Sequence, residues 1–253
     1  MRVAIATSIA LFASLSASAE ASPWQATTAS TLDKGGVAVG LFAPLRYGIT
    51  DDLELSTHPI SAFWNGNFAL KKGWGEFGGW EVATRHGFSY PTRLLQAFAR
   101  SGAGGLLPPD AEIPHTIALD TRVFASRALS EETTMTLGAR LSLGVALGEG
   151  SWGPMEIPLA YARTEALRNG AAANLSATFE GALGGSFGWF YSLEGWYLPG
   201  AEGSWSVEET AAVAWSSESG RVAIQGGAVG VAGAYPYGFN WHVLPKFDVN
   251  LQF

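Results

Sequence analysis

Apolar residues recur at every second position over long stretches of the chain. Between positions 133 and 147 one face is apolar, while the other is small or polar. The apolar positions there are Met135, Leu137, Ala139, Leu141, Leu143, Val145 and Leu147. At the C-terminus the same period carries Trp241, Val243, Pro245, Phe247, Val249, Leu251 and Phe253. A period of two predicts β-strands with one apolar face each.

The length of these stretches favours a membrane environment. They run 11 to 15 residues, whereas strands of soluble sandwiches average about 5 to 6 and a tilted strand crosses a bilayer in about 9 to 11. The apolar faces are then expected to point outward to lipid, with the polar faces lining a wet interior. Because only a closed barrel satisfies every strand amide in hydrocarbon, the prediction is an all-β, closed antiparallel transmembrane β-barrel.

Eleven strands can be placed from the alternation alone. Their ranges are 35–48, 53–63, 66–74, 79–90, 114–127, 133–147, 172–183, 187–198, 204–215, 220–232 and 240–253. Since single-chain bacterial barrels have an even number of strands, a twelfth is placed at 24–33, and a barrel of ten strands is the alternative. Residues 91–113 and 148–171 are expected to be long external loops. Treating 158–165 as a further strand would move the first of these loops to the periplasm.

Composition narrows the classes of function. Charged residues make up 15% of the chain, and 32 residues are glycine, so a coiled coil or a disordered tail is disfavoured. The formal charge of -7 disfavours nucleic-acid binding. The absence of cysteine excludes disulfides, thiolate metal sites and cysteine nucleophiles. No histidine cluster has metal-ligand spacing and no phosphate-binding loop is present, so no metal or cofactor is expected.

The first nineteen residues have the pattern of a secretory signal peptide. A positive start at Arg2 precedes an apolar run from Val3 to Leu15, and Ala17-Ser18-Ala19 forms a small-x-small cleavage pattern. The apolar run is shorter than the ~20 residues of a membrane anchor. Cleavage after Ala19 is expected, leaving residues 20–253 as a single exported domain.

The pattern as a whole resembles the outer-membrane β-barrel proteins of Gram-negative bacteria. The resemblance rests on the signal peptide, the alternating strands and a last strand that ends in an aromatic residue, Phe253. It implies an outer-membrane location, contact with membrane lipid, and recognition of the last strand by the barrel insertion machinery. The residues of that signal are Trp241, Phe247, Val249, Leu251 and Phe253. The stretch 40–55, with its Tyr47-Gly48-Ile49-Thr50-Asp51 turn, is similar to barrels of which some are described as transporters.

Strand parity assigns thirteen charged residues to the inner face of the barrel. They are Arg46, Glu54, Glu81, Arg85, Asp120, Arg122, Arg140, Glu180, Glu194, Glu208, Arg221, Lys246 and Asp248. Six are basic and seven acidic, so the lumen is expected to be mixed in sign. Such charges more often form ion pairs than a selectivity ring. Aromatic residues near strand ends, among them Trp205, Trp215 and Tyr235, predict belts at the headgroup level.

These features favour a passive channel or transporter for small solutes. The alternative is a non-conducting barrel with a structural or surface-interaction role, in which external loops contact a partner. An outer-membrane lipid hydrolase or acyltransferase is disfavoured, and no catalytic residue is assigned. Its best candidates, His86 and Ser89, have opposite parity and should point to opposite faces of their strand.

Overall fold

The computed structural model describes residues 27–62, 64–155 and 157–253. The strands are β1 Val37–Gly40, β2 Leu45–Thr50, β3 Leu53–Thr57, β4 Gly66–Phe77, β5 Trp80–Tyr90, β6 His115–Ala128, β7 Thr133–Leu147, β8 Ala171–Gly184, β9 Phe187–Tyr197, β10 Trp205–Ser216, β11 Val222–Tyr235 and β12 Gly238–Gln252. The helices are α1 Pro59–Ala62, α2 Thr92–Phe98 and α3 Pro158–Asn169. No helix in these ranges is long and apolar enough to cross a membrane. The predicted signal peptide, residues 1–19, lies outside the described residues.

The twelve strands close into one antiparallel barrel. Each strand pairs with its neighbours in the chain, and β1 pairs with β12. The seam pairs Ala38 with Gln252 and Gly40 with Asn250. Two backbone hydrogen bonds, of 3.0 and 2.8 Å, join Val37 and Phe253. The prediction of an all-β, closed antiparallel barrel with twelve strands is confirmed.

The two ends of the barrel differ in their connections. At one end, here called the turn end, short connections join the strands and the chain finishes at Phe253; Gly78 and Gly79, with φ of 60° and 80°, form one of these turns. Positive φ at both residues is the conformation that favours glycine in a two-residue hairpin. The opposite end, here called the loop end, carries all three helices within its connections.

The polarity of the barrel is inverted relative to a soluble domain. Apolar side chains of β6 and β7 point outward and are between 40% and 48% exposed: Leu119, Leu137, Leu141, Leu143 and Val145. The alternate positions of the same strands point inward and include the buried Phe124, Ser126 and Thr136. The outer surface is therefore apolar, and polar groups are enclosed.

The twelfth strand was predicted in the wrong place. Residues 27–33 form no strand, and the predicted strand 35–48 is two strands, β1 and β2, joined through Leu41–Pro44. Pro44, which has no amide hydrogen, lies in that connection. Likewise the predicted strand 53–63 ends at Thr57, and α1 follows. The period of two continues through such short breaks, so it does not reveal them.

Residues Thr27–Asp33, here called the N-terminal segment, run inside the barrel near the turn end. The Ala29 amide donates to Ser126 Oγ at 2.8 Å, and Lys71 Nζ donates to the Ser30 carbonyl at 2.5 Å. A side chain at Gly48 would bring a Cβ to 2.0 Å from the Asp33 carbonyl oxygen. Gly48 thus permits the segment to pack directly against β2.

Two predicted loops contain helices. Residues 91–113 include α2, and residues 148–171 include α3, which covers the stretch 158–165 within the second predicted loop. Pro158 lies in the first turn of α3, where a missing amide hydrogen is tolerated, and Gly170 ends it with φ of 89°. The stretch between them is rich in alanine, leucine and arginine, which favour helix.

The barrel wall is shortest at β1, β2 and β3, which have only 4, 6 and 5 residues. This part of the barrel is here called the low wall. Asn250, Leu251 and Gln252 of β12 pair with β1, and the Leu41 amide donates to the Val249 carbonyl at 2.9 Å. Among the described residues no strand pairs with this edge of β12 from residue 238 to 248. Pro245 lies on that edge with no amide hydrogen to leave unpaired, a usual protection of sheet edges.

Candidate functional site

The charged lumen is the candidate site. Arg46 and Glu54 form a buried pair across β2 and β3, with two hydrogen bonds of 2.8 and 2.6 Å, and Arg46 is 3% exposed. Asp120 of β6 accepts from Arg85 at 3.2 Å and also from Arg140. These five predicted residues are therefore brought together in one part of the barrel.

Arg122 lies in the same part of the barrel, and the other predicted charges lie apart from that group. Glu194 and Glu208 face each other across β9 and β10, and Glu180 is buried on β8. Lys246 lies with its ammonium nitrogen 4.7 Å from the ring centre of Phe190. Asp248 accepts the Phe42 amide at 3.0 Å. The turn-end residues Glu81 and Arg221 are exposed.

Most of the lumen charges are unevenly distributed around the barrel, although Glu54, Glu81 and Asp120 lie on the basic side and Lys246 on the acidic side. Basic residues line β2 and β4 to β7: Arg46, Lys71, Arg85, Arg122 and Arg140. Carboxylates lie on β8, β9, β10 and β12: Glu180, Glu194, Glu208 and Asp248. Strand parity predicts which face a residue occupies, whereas the arrangement of the charges around the barrel depends on strand register.

Three cavities follow one another along the lumen. The central cavity, of about 190 Å³, is lined by the five basic residues together with Glu54, Thr27 and Phe124. The loop-end cavity, of about 520 Å³, shares Arg85 and Arg140 with the central one. The turn-end cavity, of about 520 Å³, lies on the other side of the N-terminal segment and is lined by Glu81 and Glu180.

The N-terminal segment separates the central cavity from the turn end. Besides its bonds to Ser126 and Lys71, it presents the Leu32 amide to Glu54 Oε2 at 3.2 Å. Ala29 packs against Ala83 and Phe124 in a small buried cluster. The segment is thus held by hydrogen bonds and by a little apolar contact, without an ion pair among the described residues.

Helix α3 occupies the loop end of the lumen. Arg163 donates two hydrogen bonds to Glu208, of 2.5 and 2.7 Å. Its guanidinium also lies 5.1 Å from the ring centre of Trp196, and that of Arg140 lies 5.4 Å from the same ring. Charge and aromatic contacts therefore anchor the helix to β9 and β10.

Tyr161 anchors the same helix through a buried hydroxyl. It is 0% exposed, packs against Tyr235, and both donates to the Gly203 carbonyl and accepts from the Gly203 amide at 3.1 Å. Burial, with the nearby Glu165 carboxylate, raises the pKa of the Tyr161 hydroxyl, so it remains a donor. Tyr235 was predicted to lie in an outward aromatic belt and is instead enclosed, because the odd-numbered positions of β11 face inward.

Replacing Tyr161 by phenylalanine is expected to lower the free energy of unfolding by about 1 to 3 kcal/mol, because the buried Gly203 groups lose their partner. The measurement is urea unfolding in detergent micelles. Tyr191→Phe is the matched control, since its hydroxyl bonds Glu209 at 2.9 Å on the exposed face. Equal losses in the two variants would contradict the anchoring role of Tyr161.

Two functional residues escaped the sequence analysis. Lys71 is 1% exposed on β4, and the outward Phe68 and Leu70 give the parity that could have placed it inside. Arg163 lies in a stretch assigned to loop, so no parity applied to it. Only the packing of α3 into the barrel brings Arg163 to Glu208.

The histidines form no catalytic pair. His86 Nδ1 lies 3.2 Å from Thr121 Oγ1 on the outer face, whereas Ser89 lines the loop-end cavity. His58 Nε2 lies 2.9 Å from the Phe42 carbonyl, and His115 contacts Tyr90. None of these partners is a serine hydroxyl or a carboxylate. Within residues 27–62, 64–155 and 157–253, no group of three histidine or acidic side chains could hold a metal ion.

Comparison with models of known protein families finds no match, and comparison with curated protein sequences finds none either.

Proposed function

We propose that this protein is an outer-membrane β-barrel that conducts small solutes. The observation that carries the proposal is a charged, cavity-containing lumen enclosed by an apolar outer surface. An apolar exterior of this extent in water would expose far more hydrophobic area than a soluble monomer tolerates. Lipid is the environment in which outward Leu141 and inward Arg46 are both stable.

Export and insertion are part of the proposal. Cleavage of residues 1–19 would leave a mature chain with Thr27 close to its free end. The outward residues of β12, with Trp241 66% and Phe253 71% exposed, present an apolar strand. Phe247, Val249 and Leu251 complete this face, which suits recognition by the insertion machinery. The aromatic residues exposed at both ends of the barrel suit the two headgroup regions.

The conduction path would follow the three cavities. A solute would enter at the loop end, where Pro44, His58 and Asn65 line the cavity beside the low wall. It would pass the central cavity and leave at the turn end. The N-terminal segment blocks this path, so conduction requires the segment to move aside. A segment near the free end of the chain can do so without breaking any strand pair.

Planar-bilayer recording tests the proposal. The mature protein, folded and purified in detergent, is expected to give discrete openings that alternate with long closures, because the open form is a minor state of the order of 0.1 to 10%. Heat-denatured protein serves as the control. Silence of the folded barrel at all voltages would reject conduction.

A non-conducting barrel is the second candidate. It is favoured by the occupation of both ends of the lumen, by the N-terminal segment at one and by α3 at the other. In this case the barrel would act through its loop-end connections, α2 and α3 included. The same recordings separate the two candidates, because a structural barrel gives no openings at any voltage.

A further inference from the structure

More basic than acidic side chains line the central cavity. Five cationic side chains and one carboxylate, Glu54, line it. Glu54 is engaged by Arg46 and by the Leu32 amide. Asp120 nearby is shared by Arg85, Arg140 and the Ser142 hydroxyl. Two carboxylates therefore balance two of the five cations.

Arg122 and Lys71 have no carboxylate within salt-bridge distance among the described residues, although Glu194 and Glu54 interact with them at longer range. Arg122 Nη2 donates to Ser176 Oγ at 2.8 Å, and Lys71 bonds only the Ser30 carbonyl. Both cations lie over Phe124, at 4.8 and 5.2 Å from its ring centre. No salt bridge involves either residue within the described part of the chain. Buried cations of this kind are costly unless an anion accompanies them.

Unpartnered hydrogen-bond donors line the same cavity. Arg46 Nη1, Arg122 Nε and Thr27 Oγ1 are buried and have no hydrogen-bond partner among the described residues. Arg46 is itself 97% buried, since its exposed fraction is 3%. Donors on an arginine match the acceptor oxygens of carboxylates and phosphates in charge and geometry.

We infer that the central cavity binds a small oxyanion, a carboxylate or a phosphate. Its volume of about 190 Å³ equals that of about six water molecules at about 30 Å³ each, which accommodates an anion of this size with some of its water. Arg46, Arg122 and Thr27 would donate to its oxygens, and Lys71 would add charge.

The cavities on either side give the site a direction. Arg85, Arg140 and Arg163 line the loop-end cavity with one carboxylate, Asp120, so basic groups outnumber acidic ones from that end to the centre. The turn-end cavity has the opposite sign: Asp33, Glu76, Glu81 and Glu180 line it with one basic residue, Arg127. An anion would therefore be attracted from the loop end and repelled at the turn end. This step rests on the proposed function, because solutes must reach the lumen.

Calorimetric titration of the folded mature protein in neutral detergent tests the site directly. Inorganic phosphate and succinate are titrated in separate arms at low salt, which distinguishes phosphate from carboxylate as the preferred oxyanion. Saturable binding of either is expected. Arg122→Gln is expected to weaken it by about ten- to a hundredfold, as for loss of a hydrogen bond to a charged group. Arg127→Gln, on the same strand but away from the cavity, should leave it unchanged.

The outcomes separate the site from the channel. No saturable binding of either anion to the folded wild type, or equal binding by Arg122→Gln and Arg127→Gln, would overturn the site. If Arg122→Gln does not fold, Lys71→Gln replaces it. In bilayers under a KCl gradient the site predicts anion selectivity that Arg122→Gln reduces. Anion binding by a silent barrel would uphold the site and reject the channel. Cation-selective openings without anion binding would uphold the channel and reject the site.

Discussion

The double variant Ala29→Cys/Ser126→Cys is expected to be electrically silent when oxidised and to open when reduced. The Ala29 amide nitrogen lies 2.8 Å from Ser126 Oγ, so the two residues are direct neighbours, and loss of free thiol on oxidation verifies that the disulfide forms. The bond would fix the N-terminal segment to β6 and hold the lumen closed. Because the chain has no cysteine of its own, no competing disulfide forms.

Reduction should do more than restore the wild-type behaviour. The Ser126→Cys change weakens the hydrogen bond to Ala29, which contributes about 0.5 to 1.5 kcal/mol. The reduced variant should therefore open up to about tenfold more often than the wild type, since about 1.4 kcal/mol corresponds to a factor of ten. Single-channel recording before and after addition of a reductant measures both effects.

A second cysteine pair is the control: its disulfide does not involve the N-terminal segment, so it shows whether a disulfide elsewhere in the lumen affects conductance. Thr178 Oγ1 and Ser192 Oγ lie 3.0 Å apart on the inner face of β8 and β9. A disulfide in Thr178→Cys/Ser192→Cys ties two wall strands that are already paired, so oxidation should not change conductance. Undiminished openings in the oxidised Ala29→Cys/Ser126→Cys variant would show that the segment is not the gate.

Leu141→Arg is expected to lower the free energy of unfolding from liposomes by about 2 to 4 kcal/mol, the cost of a cation on the lipid face near the bilayer midplane. Leu141 lies in the middle of β7, points outward and is 48% exposed. If this face met water instead, an exposed arginine would cost little. Urea titration of protein folded into liposomes measures the difference.

Leu147→Arg is the matched control, on the same strand and the same face. Leu147 is the last residue of β7 and is 52% exposed. At the edge of the bilayer the same substitution costs only about 0 to 1 kcal/mol. A loss that is small and equal at both positions would contradict the proposed membrane environment.

The long strands were predictable because their period is local information. The predicted strand 133–147 coincides with β7, and 187–198 differs from β9 by a single residue at its end. The short strands near the seam, β1, β2 and β3, were not predictable in this way. The alternation continues from β1 into β2 without showing the break at 41–44. The prediction therefore placed the twelfth strand at 24–33, whereas the described part of that range, residues 27–33, enters the lumen.

The helices were missed for a related reason. In α3, residues such as Tyr161, Ala162 and Ala166 are buried against the inner wall of the barrel. Their neighbours Arg163 and Arg168 pair with Glu208 and Glu165, and the hydrogen bond to Glu165 raises the pKa of Arg168. A helix inside a charged lumen carries polar residues on the sides that face the wall, so it lacks the simple apolar stripe by which surface helices are recognised.

The order of residues along the chain establishes the face on which each strand residue lies, because side chains alternate with a strict period of two. That period was enough to predict a closed barrel with an apolar exterior and charged interior. Only the tertiary structure decided how the interior charges are grouped, since Arg46, Arg122 and Arg140 meet through the register of strands distant in sequence. It also decided that Thr27–Asp33 and α3 enter the lumen, because such placement depends on which inner surface is free to pack against them.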